Sequence, residues 1–267
     1  MTKTGQEGFS PFAVGQLPAF EVTGDSLARA ADFFTQRQVK RIFILADPFL
    51  DKTLILPRIK SAMGADVSLS LYSEFSGEPK LASVQSALDA ARRHEAEGVL
   101  GIGGGSALDM AKIVKTCLRT GRKVADFVMQ RNPLPPMEAQ VPSVMIPTTA
   151  GTGSESSGTN ILALENGNKG WVWGAETRPD LALLDPHFST SLPARLTAWT
   201  GMDALIHAFD AATNRYTHKG AQLYAYEAIR LSVAALPDAV AQPDNLSART
   251  DMLLASYYAG CAINLCS

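Results

Sequence analysis

The sequence predicts an α/β chain with a mostly parallel sheet, followed by an incomplete all-α region. Three observations carry this. Up to about residue 191, short apolar runs alternate with helical patterns, and the runs are continuous, as in strands buried on both faces. After Leu192 the strands stop and three long helical patterns follow. Between an apolar run and a helical pattern stand three consecutive glycines, Gly103–Gly105, the punctuation of a tight strand-to-helix passage.

Each element has its own justification. Asp25–Arg37 is helical, with Leu27, Ala31 and Phe34 on one side and Gly24 or Asp25 near the cap. Arg41–Ala46 is a buried strand. Phe49–Met63 is a helix that Pro57 bends or breaks. Val67–Leu71 is a strand, and Pro79–His94 a helix with proline at its start, where a missing N–H does little harm. Val99–Ile102 is the third strand, and the helix after the glycines runs to about Leu118. Ser143–Ile146 and Leu181–Leu184 are the fourth and fifth strands. Asn160–Leu164 and Gly170–Trp173 flank Glu165-Asn166-Gly167-Asn168, and Asn-Gly is a strong hairpin signal. Ala194–Ala212, Gln222–Leu236 and Ser247–Ile263 are the three helices. The composition shift divides the chain into residues 1–191 and 192–267.

Composition excludes several classes. Over 267 residues the formal net charge is −2, without the basic excess that nucleic acid or an anionic membrane would require. No apolar run is long enough to span a bilayer. The start, MTKTGQEGFSPF, has no basic stretch followed by an apolar one, so no secretory signal is visible. Cys117, Cys261 and Cys266 are three in number without CxxC spacing, which suits reduced thiols rather than disulfides or a cysteine zinc site. A soluble cytoplasmic protein is expected.

The chemistry begins at the glycines. A strand that runs through them into a helix presents backbone N–H groups and the positive end of the helix dipole to an anion. Ser106 can cap that helix or donate to a phosphate oxygen. Diphosphate binding is the functional expectation; a bare tight turn is the alternative. No Gly-Lys-Ser/Thr of a P-loop is present, and GxGxxG fits only as Gly101, Gly103 and Ser106. An acid stands instead at the tip of an earlier strand, Asp47. It either accepts from ribose hydroxyls, favouring NAD over NADP, or caps a helix before Pro48. A second loop, Ile146-Pro-Thr-Thr-Ala-Gly-Thr-Gly-Ser-Glu155, follows the fourth strand, and Thr148, Thr149, Thr152 and Ser154 could line a cofactor. Neither GxSxG nor SxxK is present, so nucleophilic hydrolysis is unsupported. In the helical region Asp203 and His207 lie four residues apart on one helical face. That pair suits half of a divalent iron or zinc site or, alternatively, a surface hydrogen bond. Of the other histidines His94 is solvated, and neither His187 nor His218 has suggestive spacing.

Four blocks together resemble the iron-containing (group III) alcohol dehydrogenase family: Gly103–Lys112, Ile146–Glu155, Asp185-Pro186 and Leu192–His207. The resemblance implies an N-terminal dinucleotide-binding domain, a helical domain, and metal and substrate in the cleft between. It implies that Gly103, Gly104, Gly105 and Ser106 form the diphosphate loop, that Asp47 reads the ribose, and that Thr148, Thr149 and Thr152 lie on the nicotinamide side. It makes Lys169 a cofactor-contacting lysine, and Asp203 and His207 the first two metal ligands. The cofactors implied are NAD, with NADP less expected, and Fe²⁺ or Zn²⁺. The substrate implied is a small alcohol, aldehyde or ketone, and a homodimer is compatible with the resemblance. Catalytic side chains beyond the metal ligands are not expected. The dehydroquinate-synthase type of lyase shares this architecture, but the Thr-Thr-Ala-Gly-Thr-Gly-Ser block argues against it.

Two departures stand out. Where the family often reads Asn-Pro-Thr, this chain reads Glu78-Pro79-Lys80. The family's further ligand histidines follow a segment that begins like Ala259–Asn264, and the sequence given stops at Ser267. The expectation is therefore an N-terminal portion of such an enzyme, either active or an NAD-binding fragment without turnover.

Overall fold

The computed structural model of the chain describes residues 11–50 and 52–266. Its centre is a six-stranded parallel sheet. The strands are β1 (Ala19–Val22), β2 (Arg41–Ala46), β3 (Ser68–Tyr72), β4 (Gly98–Gly103), β5 (Ser143–Pro147) and β8 (Leu181–Leu184). Their spatial order is β1-β8-β5-β4-β2-β3. An antiparallel hairpin, β6 (Thr159–Ala163) and β7 (Lys169–Trp173), stands apart as a two-stranded sheet.

Period-two alternation sorts the core. On β2, Ile42, Ile44 and Ala46 face one layer and Phe43 and Leu45 the other. Helices α1 (Ser26–Gln36) and α2 (Lys52–Met63) cover the first face; α3 (Leu81–Arg93) and α4 (Gly105–Cys117) cover the second. Asp25 caps α1, its carboxylate accepting from the Ala28 N–H at 3.4 Å. Pro57 stays inside α2 on an exposed position rather than ending it. The hairpin's buried side, Leu162 and Val172, joins the second core, and its other side carries Thr159, Ile161, Ala163 and Lys169.

The sheet holds one strand more than the sequence pattern indicates. Four residues, Ala-Phe-Glu-Val, lie along the outer edge of β8 and are largely exposed. A short edge strand has no buried face to impose a readable pattern.

Helices α5 (Ala194–Thr213), α6 (Lys219–Ala241) and α7 (Leu246–Leu265) form the helical region. α6 begins three residues before the expected start because His218 caps it, accepting from the Ala221 N–H at 3.3 Å. It also continues through Pro237. The region docks on the sheet: Ala182 and Leu184 of β8 and Ala150 share a core with Ala235, Ala239, Met252, Leu253 and Tyr257. Alanine dominates there, which lets the backbones approach closely. None of the described helices is long and apolar enough to cross a membrane.

Candidate functional site

The strand order reverses between β2 and β4. β2 passes outward to β3, and every later sheet strand is added on the other side. In an open parallel sheet, the crevice at the carboxyl ends of the strands beside such a reversal is where ligands bind. Both predicted loops start there.

At this point β4 turns into α4. Gly103 has φ +154°, and a Cβ on it would lie 2.7 Å from both the Asp47 and Ala107 Cβ atoms. A Cβ on Gly105 would lie 2.7 Å from Thr152 Oγ1. The glycines therefore do two things. They shorten the approach between β2, the second loop and the helix, and they leave the first-turn N–H groups of α4 without side-chain cover. Gly104 is the cap residue of α4 and has no side chain of its own to serve as acceptor.

Asp47 is committed locally. Its Oδ1 accepts from the Phe49 N–H at 3.0 Å and its Oδ2 from the Gly104 N–H at 3.4 Å. The carboxylate thus caps the turn after β2 and reaches across to the glycine loop. The two readings of Asp47 are compatible, since a carboxylate has further lone pairs for ribose hydroxyls.

The second loop is bound to its surroundings on three sides. The Thr148 N–H donates to Gly103 O at 3.0 Å. Ser154 Oγ donates to Asp109 Oδ1 at 2.6 Å. The Gly153 N–H donates to Ser256 Oγ of α7 at 3.1 Å, and a Cβ on Gly153 would lie 2.7 Å from Gly260 Cα. A Cβ on Gly151 would meet the Thr200 carbonyl of α5 at 2.8 Å. Its glycines admit the helical region.

A buried ionic group lies under this loop. Lys112 is fully buried; its Nζ donates to the Ser157 and Thr159 carbonyls at 3.1 Å each and pairs with Asp109 Oδ1 at 3.2 Å. Asp109 Oδ2 also accepts from the Ile161 N–H of the hairpin at 2.9 Å. Burial holds the Lys112 ammonium below the ordinary lysine range, while Asp109 opposes that shift. Glu155, also buried, is pushed up to about 7 by desolvation. Sequence reasoning did not single out Asp109, Lys112 or Glu155. The signal was present: Lys112 stands among Met110, Ala111, Ile113 and Val114, where a charge must find a partner.

These pieces surround a cleft of about 480 Å³. Of the predicted residues it brings together Gly105, Ser106, Thr152, Ser154, Lys169 and His207. Asp109, Ile161 and Glu78 complete the wall on the sheet side, and Ile263 stands with His207 on the helical side. Asp47, Gly103, Gly104, Thr148, Thr149 and Asp203 do not line it; the first five touch one another where β2, the glycine turn and the second loop meet. A concavity of about 510 Å³ lies elsewhere, near Arg37, Glu97 and Asp180 at the starts of the strands. That is the wrong end of a parallel sheet for the chemistry.

His207 Nδ1 stands 3.8 Å from Asp203 Oδ2 and 3.4 Å from Gly151 O. A backbone carbonyl partner on one ring nitrogen leaves the other for a metal, the usual arrangement of a ligating imidazole. Among the described residues no group of three or more His, Cys, Asp or Glu could hold a metal ion. The pair fits half a coordination shell and not a complete one. His187 and His218 are engaged elsewhere: His187 Nδ1 pairs with Asp185 Oδ1 at 3.0 Å, and His218 Nε2 approaches Leu265 O at 3.0 Å.

Fold and cleft together define a class, the parallel α/β folds with a glycine turn at the sheet's reversal and a helical region beside it. Comparison narrows this. Residues 19–186 match the iron-containing alcohol dehydrogenase family, and residues 197–267 match the C-terminal region of the Fe-containing alcohol dehydrogenase family. The chain belongs to the iron-containing alcohol dehydrogenase family. It is 35% identical over 224 residues to long-chain-alcohol dehydrogenase 1 of Geobacillus thermodenitrificans, covering 84% of this chain and 56% of that one. A sulfoacetaldehyde reductase of Bifidobacterium kashiwanohense, solved with NAD⁺, superposes with a TM-score of 0.90 at 28% identity. That match covers 96% of this chain and 68% of the other. A 1,3-propanediol oxidoreductase superposes at 0.86, again at 28% identity, over 96% of this chain and 66% of its own. The chain spans little more than half the length of the curated relatives it matches.

Proposed function

We propose that residues 1–191 bind a nicotinamide dinucleotide along the cleft. With residues 192–267 they position a small alcohol, or its aldehyde or ketone, for hydride transfer. The observation that carries this is the opening of the α4 N-terminus, at Gly105 and Ser106, into the same cleft that Thr152, Lys169 and His207 line.

Each group then has a task. The first-turn N–H groups of α4 receive the diphosphate, and Ser106 Oγ adds a donor. Asp47 accepts from the ribose hydroxyls, and its charge disfavours a 2′-phosphate, so NAD is preferred to NADP. Thr148, Thr149 and Thr152 back the nicotinamide end, held there by the Ser154–Asp109 contact. Lys169 offers a cation to a phosphate. Ile161 and Ile263 form apolar wall that keeps water from the reacting carbon. The nicotinamide supplies the hydride chemistry when bound. Asp203 and His207 are the residues that would hold iron or zinc, whose contribution is Lewis acidity toward the alcohol oxygen.

The test is NAD⁺ and NADP⁺ titration by calorimetry, with alcohol-dependent NADH formation measured under added Fe²⁺ or Zn²⁺. Tighter binding of NAD⁺ than NADP⁺ is expected. Absence of any dinucleotide binding overturns the proposal. A second reading is dinucleotide binding without turnover. Binding with no NADH formation at any metal concentration supports it.

A further inference from the structure

The departure at Glu78-Pro79-Lys80 has a structural counterpart. Pro79 O accepts from the Ala163 N–H at 2.7 Å, and Lys80 forms a parallel bridge with Ala163. The segment before α3 is thus a third backbone rail beside the hairpin. Across β6 from it, Ala163 stands in register with Lys169 of β7, so both share a face. Ala163 carries only a methyl group. Over it, Glu78 Oε1 reaches Lys169 Nζ at 3.0 Å.

This pair stands on the wall of the cleft that Gly105 and Ser106 also line. Lys169 and His207 are the basic side chains among the described residues that line it. Lys112 lies beneath, but its charge is already taken up by Asp109 and two carbonyls. A dinucleotide brings two negative charges on its diphosphate. Glu78 already occupies the exposed cation that those charges would seek.

On the dinucleotide reading above, we propose that Glu78 is an internal competitor for Lys169 that a diphosphate must displace, and so sets the cofactor affinity of this chain. The carboxylate keeps the ammonium aligned beside the cleft when it is empty, and weakens binding because the ion pair has to open. Both side chains are largely solvated, with 72% of Lys169 and 40% of Glu78 exposed. The effect is therefore modest, as for other surface pairs.

The experiment uses the whole chain and calorimetric titration with NAD⁺. Four proteins are compared: unsubstituted, Glu78→Gln, Lys169→Met and the double variant. The exposed positions leave folding intact, which circular dichroism checks. Glu78→Gln is expected to tighten NAD⁺ about two- to fivefold, the range of an exposed ion pair. Lys169→Met is expected to weaken it by a similar factor, and in that background Glu78→Gln has no further effect. Three results overturn the inference: unchanged or weaker binding by Glu78→Gln, no weakening by Lys169→Met, or equal tightening by Glu78→Gln with and without Lys169. The last would make Glu78 a simple repulsive charge. If the unsubstituted chain binds no NAD⁺, the dinucleotide reading itself fails, and this inference with it.

Discussion

The two walls of the cleft are built in different ways. Beneath the sheet side, charge is buried and closely partnered: Lys112 has Asp109 and two carbonyls, and Asp109 has Ser154 and the Ile161 N–H. On the helical side, His207 lines the cleft, half-exposed and 3.8 Å from the half-exposed Asp203 outside it, beside solvent-facing Trp199, Met202, Ile206 and Phe209. The difference teaches where a site's geometry comes from. A network whose members all hold one another is specified by the two segments that carry it. A pair of donors with few partners relies on whatever else binds there.

Substitutions can break or sharpen that contrast. The largest effect is expected from Lys112→Met, which takes the cationic partner from the mostly buried Asp109 carboxylate and leaves the Ser157 and Thr159 carbonyls without their donor. Removing one member of a buried pair costs about 3–5 kcal/mol, read as a fall in the urea midpoint. A midpoint within error of the parent would show that Lys112 is not a structural counter-ion.

Glu155 gives a pH signature of the same network. Burial raises its carboxyl to about 7 in the folded chain, against 4.5 unfolded. The folded state therefore holds its proton more tightly. Glu155 imposes no penalty below about pH 4.5, and stability is lost as pH rises through about 7. The full loss is on the order of 3 kcal/mol. Urea midpoints measured across that window should decline in the parent relative to Glu155→Gln. Parallel curves for the two proteins would refute the assignment.

Gly105→Ala is expected to act next. Its methyl would lie 2.7 Å from Thr152 Oγ1, so one of the two loops must shift. Overpacking of this kind costs about 1–3 kcal/mol. It should lower the urea midpoint by that amount and, by displacing the loop, weaken NAD⁺ roughly tenfold. Unaltered NAD⁺ affinity would separate the glycine turn from the cofactor.

His207→Ala should matter least to stability, within about 0.5 kcal/mol, because the side chain is partly exposed and makes only two long polar contacts. Its effect belongs to metal uptake. Equilibrium dialysis with Zn²⁺ should show weak binding by the parent and less by the variant. Equal uptake by both would remove His207 from the metal site.

Much of this was legible beforehand for a physical reason. Buried parallel strands read as continuous apolar runs, so β2, β4, β5 and β8 fall where the pattern places them within a residue or two. Asn-Gly marked the β6–β7 turn, where Gly167 takes φ +80°. β1 escaped because an exposed edge strand needs no pattern. Asp109 and Lys112 escaped for a different reason. They lie inside the motif that attracted attention, but their partners, Ser157, Thr159 and Ile161, stand some 45 to 52 residues away, and only folding joins them. The Glu78–Lys169 pair was out of reach in the same way.

One feature of the second loop constrains motion. Gly151 abuts Thr200 of α5, and Gly153 lies against Gly260 of α7, where any side chain would collide. The loop is in effect a weld between sheet and helices, leaving it little room to hinge. Breathing of the cleft then falls to the opposite rim, the hairpin together with residues 77–80. Amide hydrogen exchange faster at Leu164 than at Gly153 would bear this out, and the reverse order would refute it.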